Sequence, residues 1–202
     1  MSSSRSTARQ LGTAVRALTV LTLVLGVGYP LVITGIGQLM LNDRADGQLL
    51  TFDGAAVGSA IIGQSFTDPD GEALPEWFQS RPSAAGDGYD GGASSGSNLG
   101  PQNPDLVTAI EARRAAVVEL EGVDPALVPA DALTTSASGL DPHISPEYAQ
   151  LQVARIAVER GLAEADIEAL VEQHMQGPDL GYLGEASVNV VELNLALAQL
   201  DT

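Results

Sequence analysis

The sequence contains no cysteine, which excludes disulfides, thiolate metal sites and cysteine nucleophiles. It also contains no lysine, so all nine basic residues are arginine and no lysine is present to complete a phosphate-binding loop. Aromatic residues make up only 4% of the chain, leaving alanine, valine and leucine to build most of any core. Histidine occurs twice, at positions 143 and 174. His143 with Asp141 across a rigid Pro142 makes a poor chelate, because protein zinc sites take three or four protein ligands. His143 therefore reads as a hydrogen-bonded turn residue and His174 as part of a solvated helix face.

Positive charge is scarce and segregated. Residues 1–42 hold Arg5, Arg9 and Arg16 and no acid, whereas residues 43–202 hold all 26 acids against six arginines, a net of −20. Such a body repels nucleic acid and anionic headgroups and attracts cations. In its plainest reading it is a solvated surface.

What is present begins with "ALTVLTLVLGVGYPLVITGIGQLML", Ala17 to Leu41, which carries no charge. As a helix at about 1.5 Å per residue it reaches beyond the roughly 30 Å hydrocarbon core of a bilayer. It exceeds the about 7–15 apolar residues of a signal peptide, and no A-x-A cleavage pattern follows closely. Pro30 is tolerable in a membrane helix. Gly26, Gly28, Gly35 and Gly37 let a second helix approach, so Gly28, Pro30, Gly35 and Gly37 are the helix-packing candidates. The arginines before the run place the N-terminus in the cytoplasm. The expected layout is a cytoplasmic tail over 1–16, a membrane span over 17–41 and an extracytoplasmic domain over 43–202, in the cell membrane with lipid around the span.

The outer part reads as one small α+β domain. Residues 48–66 look extended, with a short strand expected through Val57, Ala60, Ile61 and Ile62. Asp68-Pro69-Asp70-Gly71 signals a turn. Trp77 and Phe78 are the anchors expected of an aromatic-poor chain. Asn103 and Pro104 read as cap and first residue of a helix to Glu121, with Leu106, Val107, Ile110, Val117 and Leu120 on one face. A short strand is expected around 133–137. Ser145-Pro146 opens a second helix through Leu151, Val153, Ile156 and Val158, stopped by Gly161. A third is expected over 163–175 with Ile167, Leu170 and Val171 inward. "SVNVV" then reads as a strand, and "ELNLALAQL" as a closing helix.

The segment Arg81 to Pro104, "RPSAAGDGYDGGASSGSNLGPQNP", carries the candidate chemistry. Gly92-Ala93-Ser94-Ser95-Gly96 fits the G-x-S-x-G pattern, with Asp141 and His143 downstream. A nucleophile elbow, however, needs a strand running in and a helix starting immediately after, and neither flanks it. Its glycine N–H groups could cradle an anion, but the G-K-[ST] ending of a nucleotide loop is missing. The better reading is an ordered turn system.

Taken together, "GYPLVITGIGQ" (28–38), "GSAIIGQSF" (58–66), "RPSAAG…YD…SGSNLGPQNP" (81–104), "SASGLDPHISPEYAQLQVARIA" (136–157) and "LGEASVNVVELNLAL" (183–197) resemble the C subunit of the Kdp-type potassium-transporting ATPases, in family order across nearly the whole chain. The sequence departs from that pattern in a longer loop over 68–77, and in Ala186 and Ser187 where proline and arginine are expected. The resemblance implies a non-catalytic accessory subunit that stabilises a potassium-uptake complex. It also implies a catalytic chaperone raising the ATP affinity of the P-type subunit. The implied partners are a channel-like potassium-binding subunit, the P-type ATPase subunit and a small single-helix subunit, with ATP and potassium handled by the complex and no cofactor held by this chain. Candidate interface residues are Arg81, Tyr89, Ser95, Gly96, Asn98, Gly100, Pro101, Asn103, Asp141 and His143. The alternatives of another class are an anchored extracellular serine hydrolase and a stand-alone anchored binding module.

Overall fold

A computed structural model describes residues 3–200, with side chains from residue 6. Met1 and Ser2 of the expected cytoplasmic tail, and Asp201 and Thr202 of the outer domain, lie outside the described residues. The chain divides into two compact units, Met1–Gln48 and Leu49–Thr202.

The first unit is helical. α1 spans Ser3–Leu21, a π-helical stretch covers Thr22–Gly28, α2 spans Tyr29–Met40, and the short α3 covers Asn42–Ala45. The apolar stretch long enough to cross a membrane is Ser6–Met40, so the helix starts well before Ala17 and includes Arg9 and Arg16. The π-helical winding lies directly before Pro30. Proline cannot donate to a helical carbonyl and its ring crowds the residue four back. Here the Tyr29 N–H bonds the Val24 carbonyl five residues back, a wider wrap that relieves this crowding. Near the end of the span, Gln38 Nε2 donates to Asp46 Oδ1 at 2.7 Å.

The second unit opens with a hairpin, β1 (Leu49–Phe52) against β2 (Ala55–Ser59). Asp53 and Gly54 join the strands at φ of 51° and 77°, the two left-handed residues of a tight hairpin turn. The expected strand through Ile62 therefore stops at Ser59, and Ile62 makes only an isolated bridge back to it. The Asp68 carboxylate accepts the N–H groups of Asp70 and Glu72, forming the expected turn.

α4 (Pro104–Glu121) starts as the sequence indicates, with the Asn103 side chain accepting from Asp105 N. Its apolar residues are half-buried at best, and Val107 is exposed. No strand forms over 133–137. The 3-10 turn at Ala130–Ala132 continues into Leu133 and Thr134, whose N–H groups both bond Ala130 O. Asp131 there accepts the N–H and hydroxyl of Ser145. The strand is instead β3, His143–Ile144.

The helix after Ser145 is split into α5 (Pro146–Leu151) and α6 (Val153–Arg160) by a turn at Gln152. Ser145 caps α5 and Gly161 ends α6 in the left-handed conformation, as expected. Val158 is 79% exposed rather than inward, since two residues after Ile156 lies across the helix. α7 (Glu164–His174), β4 (Met175–Gln176), β5 (Ser187–Asn189) and α8 (Val190–Leu200) complete the domain. The predicted strand ends at Asn189, and Val190 begins the helix. The small sheet has the order β3-β5-β4, antiparallel throughout. Ile144, Val153, Ile156, Ile167, Val171, Val188, Leu193 and Leu197 pack with Phe78 into one core. The fold is α+β.

Three buried amides bind the loop-rich first half of the domain to this core. Asn194 on α8 faces Phe78, its Oδ1 accepting Phe78 N and its Nδ2 donating to Phe78 O, both at 2.9 Å. Gln152 does the same for Gln79, accepting its N–H at 2.6 Å and donating to its carbonyl at 3.3 Å. Asn189 donates to Ala60 O at 2.7 Å and accepts Val191 N and Glu192 N at the start of α8. Buried backbone groups must find partners, and here side-chain amides replace a neighbouring strand.

Candidate functional site

The segment from Arg81 to Pro104 is ordered by a second loop, residues 134–143, lying against it. Ser83 Oγ donates to Gly139 O at 2.6 Å and accepts Ala85 N and Tyr89 N at 3.1 and 2.9 Å, which uses its full hydrogen-bonding capacity. Ser95 N donates to Ser138 O at 2.9 Å. At Gly139, φ is +68° and an added Cβ would lie 2.5 Å from Ser95 O and 2.8 Å from Ala85 N. At Gly96 a Cβ would lie 2.9 Å from Ala137 O. Both positions need glycine because two backbones meet there.

Arg81, Tyr89, Asp141 and His143 form one cluster on this platform. The Tyr89 hydroxyl donates to Arg81 O at 2.9 Å. Arg81 reaches Asp141 Oδ2 at 3.5 Å and Thr134 O at 3.4 Å. Asp141 Oδ1 accepts His143 N at 3.0 Å and sits 2.9 Å from His143 Nδ1. Burial pushes the Tyr89 phenol up to about 12, keeping it neutral. Burial also raises the Asp141 carboxyl, but the hydrogen bonds from His143 and the charges of His143 and Arg81 outweigh it and hold the group below its usual value. The cluster is thus a fixed hydrogen-bonded set, with Arg81 and Asp141 paired in a partly exposed position.

The other candidate residues disperse. Asn98 adopts φ +52° and donates to Gly96 O. Gly100 and Pro101 are exposed, and Asn103 serves as the α4 cap. Ser95 lies on the platform edge with its hydroxyl turned to Gly96 O. Ser94 Oγ donates to Ser138 O at 3.0 Å. His143 pairs with Asp141, and His174, half-buried rather than solvated, has Nδ1 2.8 Å from Leu170 O in its own helix. The hydrogen bond made by the Ser94 hydroxyl therefore goes to a backbone carbonyl and not to either imidazole. Among the described residues no group of three or more potential metal ligands is gathered. In the span, Gly35 is open to the outside, a Cβ at Gly28 would meet Leu23 O at 3.4 Å, and one at Gly37 would meet Ala45 Cβ at 3.5 Å. Pro30 sits in the first turn of α2.

Sequence reasoning missed Ser83, Thr134, Ser138 and Gly139, the receiving half of the platform. It also missed a buried ion pair elsewhere in the domain. Glu121 at the end of α4 accepts Arg155 Nε at 2.9 Å, both side chains nearly inaccessible. Arg155 further donates to Pro75 O, to Trp77 O at 3.1 Å and to Gln152 Oε1 at 3.0 Å. Burial raises the Glu121 carboxyl, against the lowering effect of Arg155. Arg160 lies 4.2 Å above the Trp77 ring.

A long apolar helix precedes a small α+β domain in which the loops 81–104 and 134–143 are hydrogen-bonded into one platform. The family model described as the C chain of the K+-transporting ATPase, KdpC, matches residues 11–199. Curated proteins named potassium-transporting ATPase KdpC subunit are similar throughout. That of Kineococcus radiotolerans is 55% identical over 94% of this chain and 93% of its own length. That of Koribacter versatilis is 48% identical over 94% of both, and that of Mycobacterium tuberculosis 50% identical over 95% of this chain and 99% of its own. The chain belongs to the KdpC family.

Proposed function

We propose that this chain is the non-catalytic accessory subunit of an ATP-driven potassium-uptake complex, anchored by its helix with the N-terminus inside and residues 43–202 outside the cell membrane. One observation carries the reading: the family match runs through both the apolar helix and the platform, from residue 11 to residue 199. Arg9 and Arg16 at the start of the span support the orientation. The partners are a channel-like subunit, the P-type subunit and a small single-helix subunit, and the platform around Arg81, Tyr89 and Asp141 docks at the channel-like subunit's external mouth. From that position the domain cannot touch cytoplasmic ATP. A catalytic chaperone effect on ATP affinity is then a coupling free energy passed through the assembly, reciprocal between the sites.

The chain has no cysteine, so Ser95→Cys and Ala169→Cys each introduce a single reactive thiol. An impermeant thiol reagent should label Ala169→Cys in intact cells, and Ser95→Cys less strongly when the complex is assembled. Labelling of both only after lysis would refute the outside placement. In mild detergent the tagged chain should retain the channel-like and P-type subunits. A preparation that runs alone, with an esterase activity lost on Ser94→Ala, would refute the accessory role.

A further inference from the structure

The loop between β4 and β5 leaves Leu180, Tyr182 and Leu183 exposed to 82%, 74% and 50%. Single exposed leucines are ordinary. Three large apolar side chains within four residues form a patch, and Tyr182 is one of only four tyrosines in the chain. The loop is closed by its own backbone hydrogen bonds. Asp179 and Leu183 form an antiparallel bridge with N–H···O distances of 2.8 and 2.9 Å, and Tyr182 N adds a 3.2 Å bond to Asp179 O. At its head Leu180 adopts φ +54°, a conformation suited to glycine or asparagine. For the turn by itself leucine is the wrong residue. Conflicts of that kind between local preference and structure mark positions held for function.

Charge decides what covers this tip. After Arg160 the chain has no arginine or lysine and eight acids, with Asp179 and Glu185 flanking the tip. Segments that settle on anionic bilayers carry lysine and arginine instead. A second copy would bring the same acids against each other. Three side chains also fall far short of the about 800 Å² per partner that a self-standing dimer contact buries. We propose that the Leu180–Leu183 tip is a docking anchor that inserts into an apolar pocket, rimmed by lysine or arginine, on another protein subunit of the transporter. This rests on the accessory-subunit reading above. The tip acts as a hot spot inside a larger contact.

Leu180→Asn separates docking from folding, because asparagine accepts the left-handed turn. In the full chain the urea midpoint should stay the same or rise, while association with the other subunits in detergent weakens at least about tenfold; Tyr182→Ser should weaken it too. Leu180→Cys carrying a benzophenone maleimide in native membranes should photo-cross-link to a larger subunit. A lipid adduct, a self-adduct, no adduct, or undiminished association of Leu180→Asn would each overturn the proposal. If the unaltered chain itself fails to retain the other subunits, the accessory-subunit reading has failed. If the unaltered chain retains them and the tip variants do too, only the tip assignment has failed.

Discussion

Removing the Asn194 amide tests the idea that side chains stand in for a missing strand beside Phe78. Asn194 and Phe78 are both buried, and the amide satisfies the N–H and the carbonyl of Phe78 together at 2.9 Å. Asn194→Ala orphans both groups. Each unsatisfied buried group costs about 1–3 kcal/mol, so the variant should lose about 4 kcal/mol. That is a large part of the roughly 5–15 kcal/mol available to a domain. Trp77 is the sole tryptophan, adjoins Phe78 and packs 6.1 Å from Phe66, so urea unfolding of the full chain in micelles can be followed by its fluorescence. Asn194→Asp sharpens the test. A protonated carboxyl offers one donor and one acceptor, as the amide does, whereas the ionised form points an oxygen at the Phe78 carbonyl and buries a charge. Its pKa in the folded state is therefore raised above that in the unfolded chain. The stability it contributes is fully present below the unfolded value and is lost as pH rises through the folded one. Relative to the parent, Asn194→Asp should be close to normal at low pH and much weaker at neutral pH. A loss below about 1 kcal/mol for Asn194→Ala, or a pH-independent deficit for Asn194→Asp, would refute the reasoning.

Glu121→Ala leaves Arg155 buried and uncompensated, and should cost about 3–5 kcal/mol by urea titration, whereas Glu121→Gln, which keeps an acceptor for Arg155 Nε, should cost less. Asp141, held below its usual value, contributes stability that is present above the unfolded carboxylate pKa and lost as pH falls through its folded one; Asp141→Asn should therefore flatten the acid limb of a stability–pH curve. Gly139→Ala should destabilise the platform by at least about 2 kcal/mol, seen as faster hydrogen exchange over residues 83–96, while Gly100→Ala, with open space around it, should leave folding unchanged.

What was legible in the sequence was local. The caps at Asn103 and Ser145 and the stop at Gly161 each depend on a few adjacent residues and took their expected form, whereas the apolar run before Asn42 is helical but starts earlier than Ala17 and changes winding before Pro30. The amides at 152, 189 and 194 were not legible, because a polar residue within an apolar helical pattern looks like an interruption until the distant backbone it serves is known. Their partners lie 73, 129 and 116 residues away. For the same reason the interface candidates on residues 81–103, and Asp141 and His143 on the opposing loop, were visible in the sequence, while the pairing of Ser83 with Gly139 and of Ser95 with Ser138 that brings the two loops together was not. The expected strand over 133–137 failed for a different cause: Asp131 ties that region to Ser145, and the β3 pairing falls ten residues later.

The amide clamps also set an order of events. Synthesis delivers the N-terminal end first, yet Phe78 and Gln79 acquire their partners only when Gln152 and Asn194 arrive. Contacts of such long range are slow to close. The β1–β2 hairpin and the Asp68 turn can close early, but the backbone around Phe78 and Gln79 must wait for its partners until the middle of α8 has been made, so this part of the chain cannot commit to its fold until synthesis is nearly complete. A truncation of the final helix should leave the distant segment around Phe78, and not only its own end of the molecule, open to proteases.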